Sequence, residues 1–306
     1  MRIATLLPSA TEIVCAVGAR DELVGRSHEC DFPPGLEDVP VLTSARVGAL
    51  PSSARIDAAV RDALRDALAI YDVDVEALRA ARPDVVVTQD LCDVCAVSLD
   101  DVRSAVARLA RQDVSIVNLH PTRLEAIWAD VERVAGAIGR ANAGAQLAAV
   151  LRERAATIGR RAAAVRQRPR VLTIEWIAPV MIGGMWMPDL IELAGGEPLV
   201  TRAGEHAPTL DRNALQRLAP DVVLVKPCGF PLPRTLDEID VLREALPRAW
   251  RGRVYVADGN AYFNRPGPRI VESLEILAAC VHPEVFADLA AKHAASFRPA
   301  PGFMKS

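Results

Sequence analysis

The sequence predicts an α/β protein of two Rossmann-like lobes with parallel sheets, joined by one long α-helix. Three observations carry this. Strand-like and helix-like segments alternate along the chain, the pattern that parallel sheets leave in a sequence. The stretch Ala81-Arg82-Pro83-Asp84-Val85-Val86-Val87-Thr88 returns as Leu218-Ala219-Pro220-Asp221-Val222-Val223-Leu224-Val225, so the second half repeats the design of the first. Between the two, Asn142–Arg166 places Leu147, Leu151, Ile158, Ala162 and Val165 at helical spacing with no proline. At 1.5 Å per residue such a helix is roughly 37 Å long, a stiff connector rather than a linker. The expected division is an N-terminal lobe over 1–138, a spanning helix over 139–168 and a C-terminal lobe over 169–306.

In chain order, Ile3–Leu7 reads as a strand. Ser9 and Glu12 then have the S-x-x-E spacing of a capping box before a helix that stops at Gly18. Glu22–Gly25 is a second strand, Ser27–Pro34 a polar loop, and Pro40–Leu42 a candidate third strand. Ile56, Val60, Leu64 and Leu68 recur at helical spacing over Ala54–Ile70. Val75–Ala81 is a short helix, followed by the buried strand at Val85, a helix over Leu99–Ala110, the strand Ser115–Leu119 and the helix Thr122–Ile138. The second lobe opens with the strand Arg170–Glu175 and a loop rich in Met, Trp and Gly over Trp176–Met187. Helices are expected over Pro188–Ala194, Leu210–Leu218, Leu236–Leu246, Ile270–Cys280 and Glu284–His293, with strands at Asp221–Val225 and Val254–Ala257.

At 306 residues and 51% hydrophobic, the chain can bury one large core or two moderate ones. A net charge of −3 and the absence of any Lys/Arg run argue against nucleic acid and against an anionic membrane surface. No apolar run is long enough to span a bilayer, so no membrane insertion is expected. Met1–Leu7 enters a strand directly, without the succession of a signal peptide, which gives a cytoplasmic expectation. Six cysteines are too sparse for a disulfide scaffold and read as reduced thiols or metal ligands.

Ligands of open α/β sheets gather outside the carboxyl ends of strands. Cys92 and Cys95 leave the Val85 strand as a C-x-x-C pair, Cys228 leaves the equivalent Val222 strand, and Cys30 lies on another loop. If the four converge, their thiolates suit zinc or an iron–sulfur cluster; otherwise they are reduced, partly buried cysteines. Cys15 and Cys280 sit in helices and read as core. His28 and Glu29 precede Cys30: His28 reads as a metal ligand, a base or an axial ligand, or as a solvated loop histidine. His120 and His206 read as structural or surface histidines. Loop aromatics suit a large apolar ligand face, which singles out Trp186 and then Tyr262, Phe263 and Arg265. No nucleotide-binding P-loop, nucleophile elbow or H-E-x-x-H motif is present.

The segments Pro8–Ala19 (PSATEIVCAVGA), Val24–Pro34 (VGRSHECDFPP), Arg82–Asp90 (RPDVVVTQD), Ala219–Val225 (APDVVLV) and Tyr262–Ile270 (YFNRPGPRI) resemble, in that order, the cobalamin-binding substrate-binding proteins of ABC transporters. These belong to the helical-backbone metal receptors, with a two-lobed class III periplasmic-binding-protein fold. The resemblance covers essentially the whole chain. It implies a ligand in the inter-lobe cleft, Tyr262, Phe263 and Arg265 lining it, and permease docking through Glu12 and Glu192. Three features depart from the pattern: the absent export signal, an added helix within Ser44–Val73, and the cysteine segments, which resemble a signal-less subgroup with thiols facing the cleft.

Two readings follow. In the first, the chain binds cobalamin, a related corrinoid or another metal-containing ligand through His28, Glu29, Trp186, Tyr262, Phe263 and Arg265. In the second, it is a cytoplasmic metalloprotein or enzyme on the same fold, with Cys30, Cys92, Cys95 and Cys228 holding an iron–sulfur cluster or zinc. Partners beyond the small ligand are an ABC permease or a second copy of the chain.

Overall fold

The computed structural model describes residues 1–46, 50–65, 71–90, 103–105, 107 and 113–303. The chain divides into two compact units. One comprises Met1–Pro51, Ala58–Pro121 and Glu125–Leu151; the other comprises Ser52–Asp57, Thr122–Leu124 and Arg152–Ser306. The long helix is therefore not a separate body, because its residues are divided between the units.

The first unit is built on β1 (Ile3–Thr5), β2 (Leu23–Arg26), β5 (Val85–Gln89) and β6 (Ser115–Leu119), in the order β2-β1-β5-β6 with every pair parallel. All five residues of β5 are buried, as expected of a central strand covered on both faces. Helix α1 (Pro8–Ala16) follows β1, but the expected capping box does not form. Pro8 takes the first helical turn and Leu7 the N-cap, so Ser9 already lies inside the helix with its hydroxyl buried and no hydrogen-bond partner among the described residues. The other end closes as the sequence suggests. Gly18 adopts φ +77°, its N–H donates to the Cys15 carbonyl and the Ala19 N–H to the Val14 carbonyl, a Schellman closure that favours glycine.

The stretch expected as a strand over Pro40–Leu42 contributes only an isolated bridge from Val41 to Arg26. The chain then forms β3 (Thr43–Ala45), which pairs antiparallel with β4 (Tyr71–Val73) as a separate two-stranded sheet. Helix α2 (Ser53–Arg65) lies between them in sequence. Helix α3 (Val75–Ala81) is capped by Asp74, whose carboxylate accepts the Ala77 N–H at 2.9 Å. Helices α4 (Leu124–Ala137) and α5 (Ala141–Ala163) follow. The 23 residues of α5 extend about 34 Å. A side chain at Gly144 would meet Ala135 Cβ at 2.3 Å, so glycine is what lets α5 pass close to α4.

The second unit holds β7 (Arg170–Trp176), β8 (Met181–Ile182), β9 (Glu197–Pro198), β10 (Val222–Val225), β11 (Arg253–Ala257) and β12 (Phe297–Pro299). The order is β12-β11-β10-β7-β8, with β9 also on β7. The core strands β7, β10 and β11 are parallel, whereas β8 and β12 run antiparallel at the two ends. Only Ile177–Val180 lie between β7 and β8, too few residues for the crossover a parallel partner needs. The Met/Trp/Gly loop expected there is thus partly a hairpin.

Helices α6 (Met187–Leu193), α7 (Arg212–Gln216), α8 (Leu232–Asp237), α9 (Ile239–Ala245), α10 (Ile270–Val281) and α11 (Ala287–Lys292) complete this unit. One helix was expected over Leu236–Leu246. Two form instead, broken at Glu238, whose buried carboxylate accepts the Ser53 N–H at 2.7 Å and also the Ser53 hydroxyl.

The internal repeat is structural as well as sequential. The Asp84 carboxylate accepts the backbone N–H of Arg2 at 2.8 Å, and the Asp221 carboxylate accepts that of Arg170 at 2.8 Å. Each aspartate opens the central strand of its sheet and ties down the first strand beside it. The two Pro-Asp-Val-Val strands therefore hold equivalent places in the two sheets.

Candidate functional site

Within each unit, the parallel strands deliver their following loops to one edge of the sheet, where ligands of such folds bind. In the first unit that edge carries the loop after β2, with His28, Glu29 and Cys30, and the ends of β5 and β6. The His28 Nδ1 lies 2.8 Å from the Thr43 hydroxyl, which also accepts the His28 backbone N–H at 3.1 Å. The Thr43 hydroxyl donates to Ser27 Oγ at 3.1 Å. Tyr71 packs its ring 5.2 Å from the imidazole and donates its hydroxyl to Glu29 Oε1 at 2.9 Å. Both His28 and Glu29 are half-buried. Beside them, buried Cys30 accepts a hydrogen bond from the Thr11 hydroxyl at 2.9 Å.

At the ends of β5 and β6, His120 Nδ1 lies 2.7 Å from Asp90 Oδ1. Burial alone raises the Asp90 carboxyl, but hydrogen bonds from His120 and Asn118 and the nearby His120 charge outweigh it and hold the group below its ordinary range. The Gln89 Oε1 and Asn118 Oδ1 atoms are buried there without hydrogen-bond partners among the described residues.

In the second unit, the same edge is built around Lys226, 1% exposed, at the end of β10. Its ammonium donates to Glu175 Oε2 and Asn264 Oδ1, each at 2.9 Å. Asn264 donates back to the Gly259 carbonyl at 2.8 Å and the Lys226 carbonyl at 3.2 Å. This network fixes the loop Asp258–Pro268 to the ends of β7 and β10. Trp176, the last residue of β7, meets Phe230 edge-on at 5.3 Å, and its indole N–H is buried without a partner among the described residues.

The structure redistributes the expected site residues. Trp186 is 6% exposed and Phe263 0%, so neither presents a face to a ligand. The Trp186 indole N–H donates to the Phe263 carbonyl at 2.9 Å, and the Phe263 N–H donates to Ser273 Oγ at 2.8 Å, holding Phe263 at φ +68°. These two residues shape the loop from inside. Arg265 is also buried and donates to Asn260 Oδ1 at 3.0 Å. Tyr262 remains half-buried, edge-on to His293, with the Arg269 guanidinium over its ring. Of the two expected docking glutamates, Glu192 is exposed, whereas Glu12 is 3% exposed inside α1.

Cys92 and Cys95 lie outside the described residues. Cys228, half-buried, donates its N–H to the Glu175 carbonyl at 3.0 Å. Among the described residues, no group of three or more His, Cys, Asp or Glu is arranged to hold a metal ion. Burial pushes the Cys15 thiol up to about 11 and raises that of Cys280 as well; Cys280 is the core cysteine expected, whereas Cys15 is half-buried at the end of α1. Sequence reading passed over Thr43, Tyr71, Glu175, Lys226 and Asn264. The one local signal was Lys226 itself, a cation placed directly after the apolar run Val222–Val225.

Two α/β units with ligand-type loops at the strand ends define the architecture of a binding receptor. Residues 3–249 match the periplasmic binding protein family, and the chain belongs to that family. Solved structures share its two-lobed class III fold. The periplasmic heme-binding protein RhuT from Roseiflexus sp. RS-1, in apo form, is 20% identical, with 94% of this chain and 98% of that one covered and a TM-score of 0.66. The periplasmic vitamin B12 binding protein BtuF of Vibrio cholerae is 17% identical, covering 94% and 97%, with a TM-score of 0.64. IsdE of S. aureus, complexed with heme, is 16% identical, covering 92% and 98%, with a TM-score of 0.64. Among curated proteins none matches.

Proposed function

We propose that the chain is the binding component for a metal-containing tetrapyrrole, with a corrinoid as first candidate and heme as the other member of the class. The observation that carries this is His28. Its imidazole stands on a strand-end loop with Nδ1 held internally by Thr43, while Nε2 takes no hydrogen bond among the described residues. An imidazole fixed through one nitrogen is the arrangement by which proteins offer the other to a metal. The half-buried Tyr262 ring supplies stacking capacity of the kind such a ligand uses. Among the similar structures, RhuT is a heme-binding protein, IsdE is complexed with heme and BtuF is a vitamin B12 binding protein, which supports the same class. Docking to an ABC permease through exposed Glu192 is part of the proposal.

The test is titration of the purified chain with aquocobalamin and, separately, with ferric protoporphyrin IX, followed by absorption and calorimetry. One of the two is expected to bind saturably at one per chain. His28→Ala is expected to weaken that binding about tenfold, roughly 1.4 kcal/mol, with loss of the absorption change that imidazole coordination produces. Absence of binding to both would remove the reading.

A further inference from the structure

We infer that Thr43 is a positioning residue that fixes His28 as the Nδ1–H tautomer and leaves the Nε2 lone pair for a metal centre. The second half of this statement rests on the tetrapyrrole reading; the first half stands on hydrogen-bond geometry alone. A hydroxyl has one proton and two lone pairs. The Thr43 proton goes to Ser27 Oγ, and one lone pair accepts the His28 backbone N–H. Toward Nδ1, 2.8 Å away, the oxygen has only a lone pair left. The ring must therefore bring the proton at that nitrogen, and a neutral imidazole with Nδ1–H has its lone pair on Nε2.

The rest of the geometry keeps the ring in that pose. Thr43 is 5% exposed, so water does not compete for its hydroxyl. Tyr71 packs on the imidazole with the planes tilted by 49°, and its hydroxyl is itself anchored on Glu29. Thr43 and Tyr71 stand on β3 and β4, paired strands of one small sheet.

The tautomer can be read without any ligand. In the full chain labelled with 15N-histidine, long-range proton–nitrogen correlation spectra above the imidazole titration range distinguish the two neutral forms. His28→Ala identifies the signal. The expected result is Nδ1–H for His28 in the parent chain and in Thr43→Ser, and loss of that single-tautomer pattern in Thr43→Val, which is nearly isosteric. Nε2–H in the parent, or an unchanged pattern in Thr43→Val, overturns the assignment. With aquocobalamin or ferric protoporphyrin IX as probe, Thr43→Val is expected to weaken binding about fivefold and alter the ligand-field spectrum, and Thr43→Ser to restore both. An Nδ1–H tautomer in a chain that binds neither probe overturns the tetrapyrrole reading and its metal-facing consequence while the tautomer stands. Tight binding with no imidazole signature overturns the metal-facing half alone.

Discussion

Glu175→Gln is expected to destabilise the second unit by about 3–5 kcal/mol, the range for breaking a buried ion pair by removing one partner. Lys226 is 1% exposed. Its charge is tolerated because Glu175 Oε2 and Asn264 Oδ1 each accept from it at 2.9 Å. Removing the carboxylate charge leaves an ammonium in a low-dielectric interior with one neutral acceptor and a weaker second. Lys226→Met leaves Glu175, about a quarter exposed, able to reach water, so that variant is expected to lose less, about 1–2 kcal/mol. The double variant Glu175→Gln/Lys226→Met is expected to recover most of the loss. Urea unfolding followed by fluorescence of Trp176 and Trp186, both in this unit, reads the difference. A Glu175→Gln variant within 1 kcal/mol of the parent, about the net worth of an ordinary hydrogen bond, would show that the pair does not hold the unit together. The same network ties Asn264, and with it the loop bearing Tyr262, to the strand ends, so ligand affinity is expected to fall along with stability.

How much of this could be read in the sequence follows from where each feature's partners lie. The strands Val85–Gln89 and Val222–Val225 are runs of β-branched residues bounded by Pro-Asp, and each signal is local, so both were found within one residue. The long helix was equally legible because its apolar spacing is a property of the segment alone. The capping box failed for an equally local reason, since the helix starts at Pro8, two residues before a Ser9 cap would allow, and places Ser9 inside it. The helix break at Glu238 was not legible, and the residue that engages its carboxylate, Ser53, lies 185 residues away. The site divides in the same manner. His28 and Glu29 were visible as polar residues in a strand-end loop, whereas Thr43 and Tyr71 reach them from 15 and 42 residues further along, on strands too short and polar to announce themselves. Trp186 and Phe263 were read as ligand contacts because loop aromatics often are. Their mutual hydrogen bond spans 77 residues, and it is that long-range closure that turns both rings inward.

Glu275→Gln is the second large effect, and it carries a pH signature. The Glu275 carboxylate is 6% exposed and accepts from His293 Nε2 at 2.7 Å, Lys292 Nζ at 2.6 Å and Arg154 Nη2 at 2.9 Å. Burial raises its pKa, but the hydrogen bonds from His293, Lys292 and Arg154 and the charge of Arg154 outweigh that and push it down from 4.5 to about 2. That fall corresponds to about 3 kcal/mol of stabilisation. Because the folded value is the lower one, the stabilisation is fully present above pH 4.5 and is lost as pH falls from there through about 2, where the folded carboxylate itself takes up a proton. Glutamine cannot take up that proton. The variant is therefore expected to be about 3 kcal/mol less stable than the parent at neutral pH, with the gap narrowing steadily below pH 4.5. Urea unfolding of both chains across that interval measures the gap directly. A difference that stays constant with pH would mean that the loss comes from packing and not from the charge. The cluster also bears on the site. His293 meets the Tyr262 ring edge-on at 6.1 Å, and Glu275 holds His293 in place. Loss of the carboxylate therefore frees the imidazole behind the most accessible aromatic residue of the ligand loop, and weaker tetrapyrrole binding is expected to accompany the lost stability.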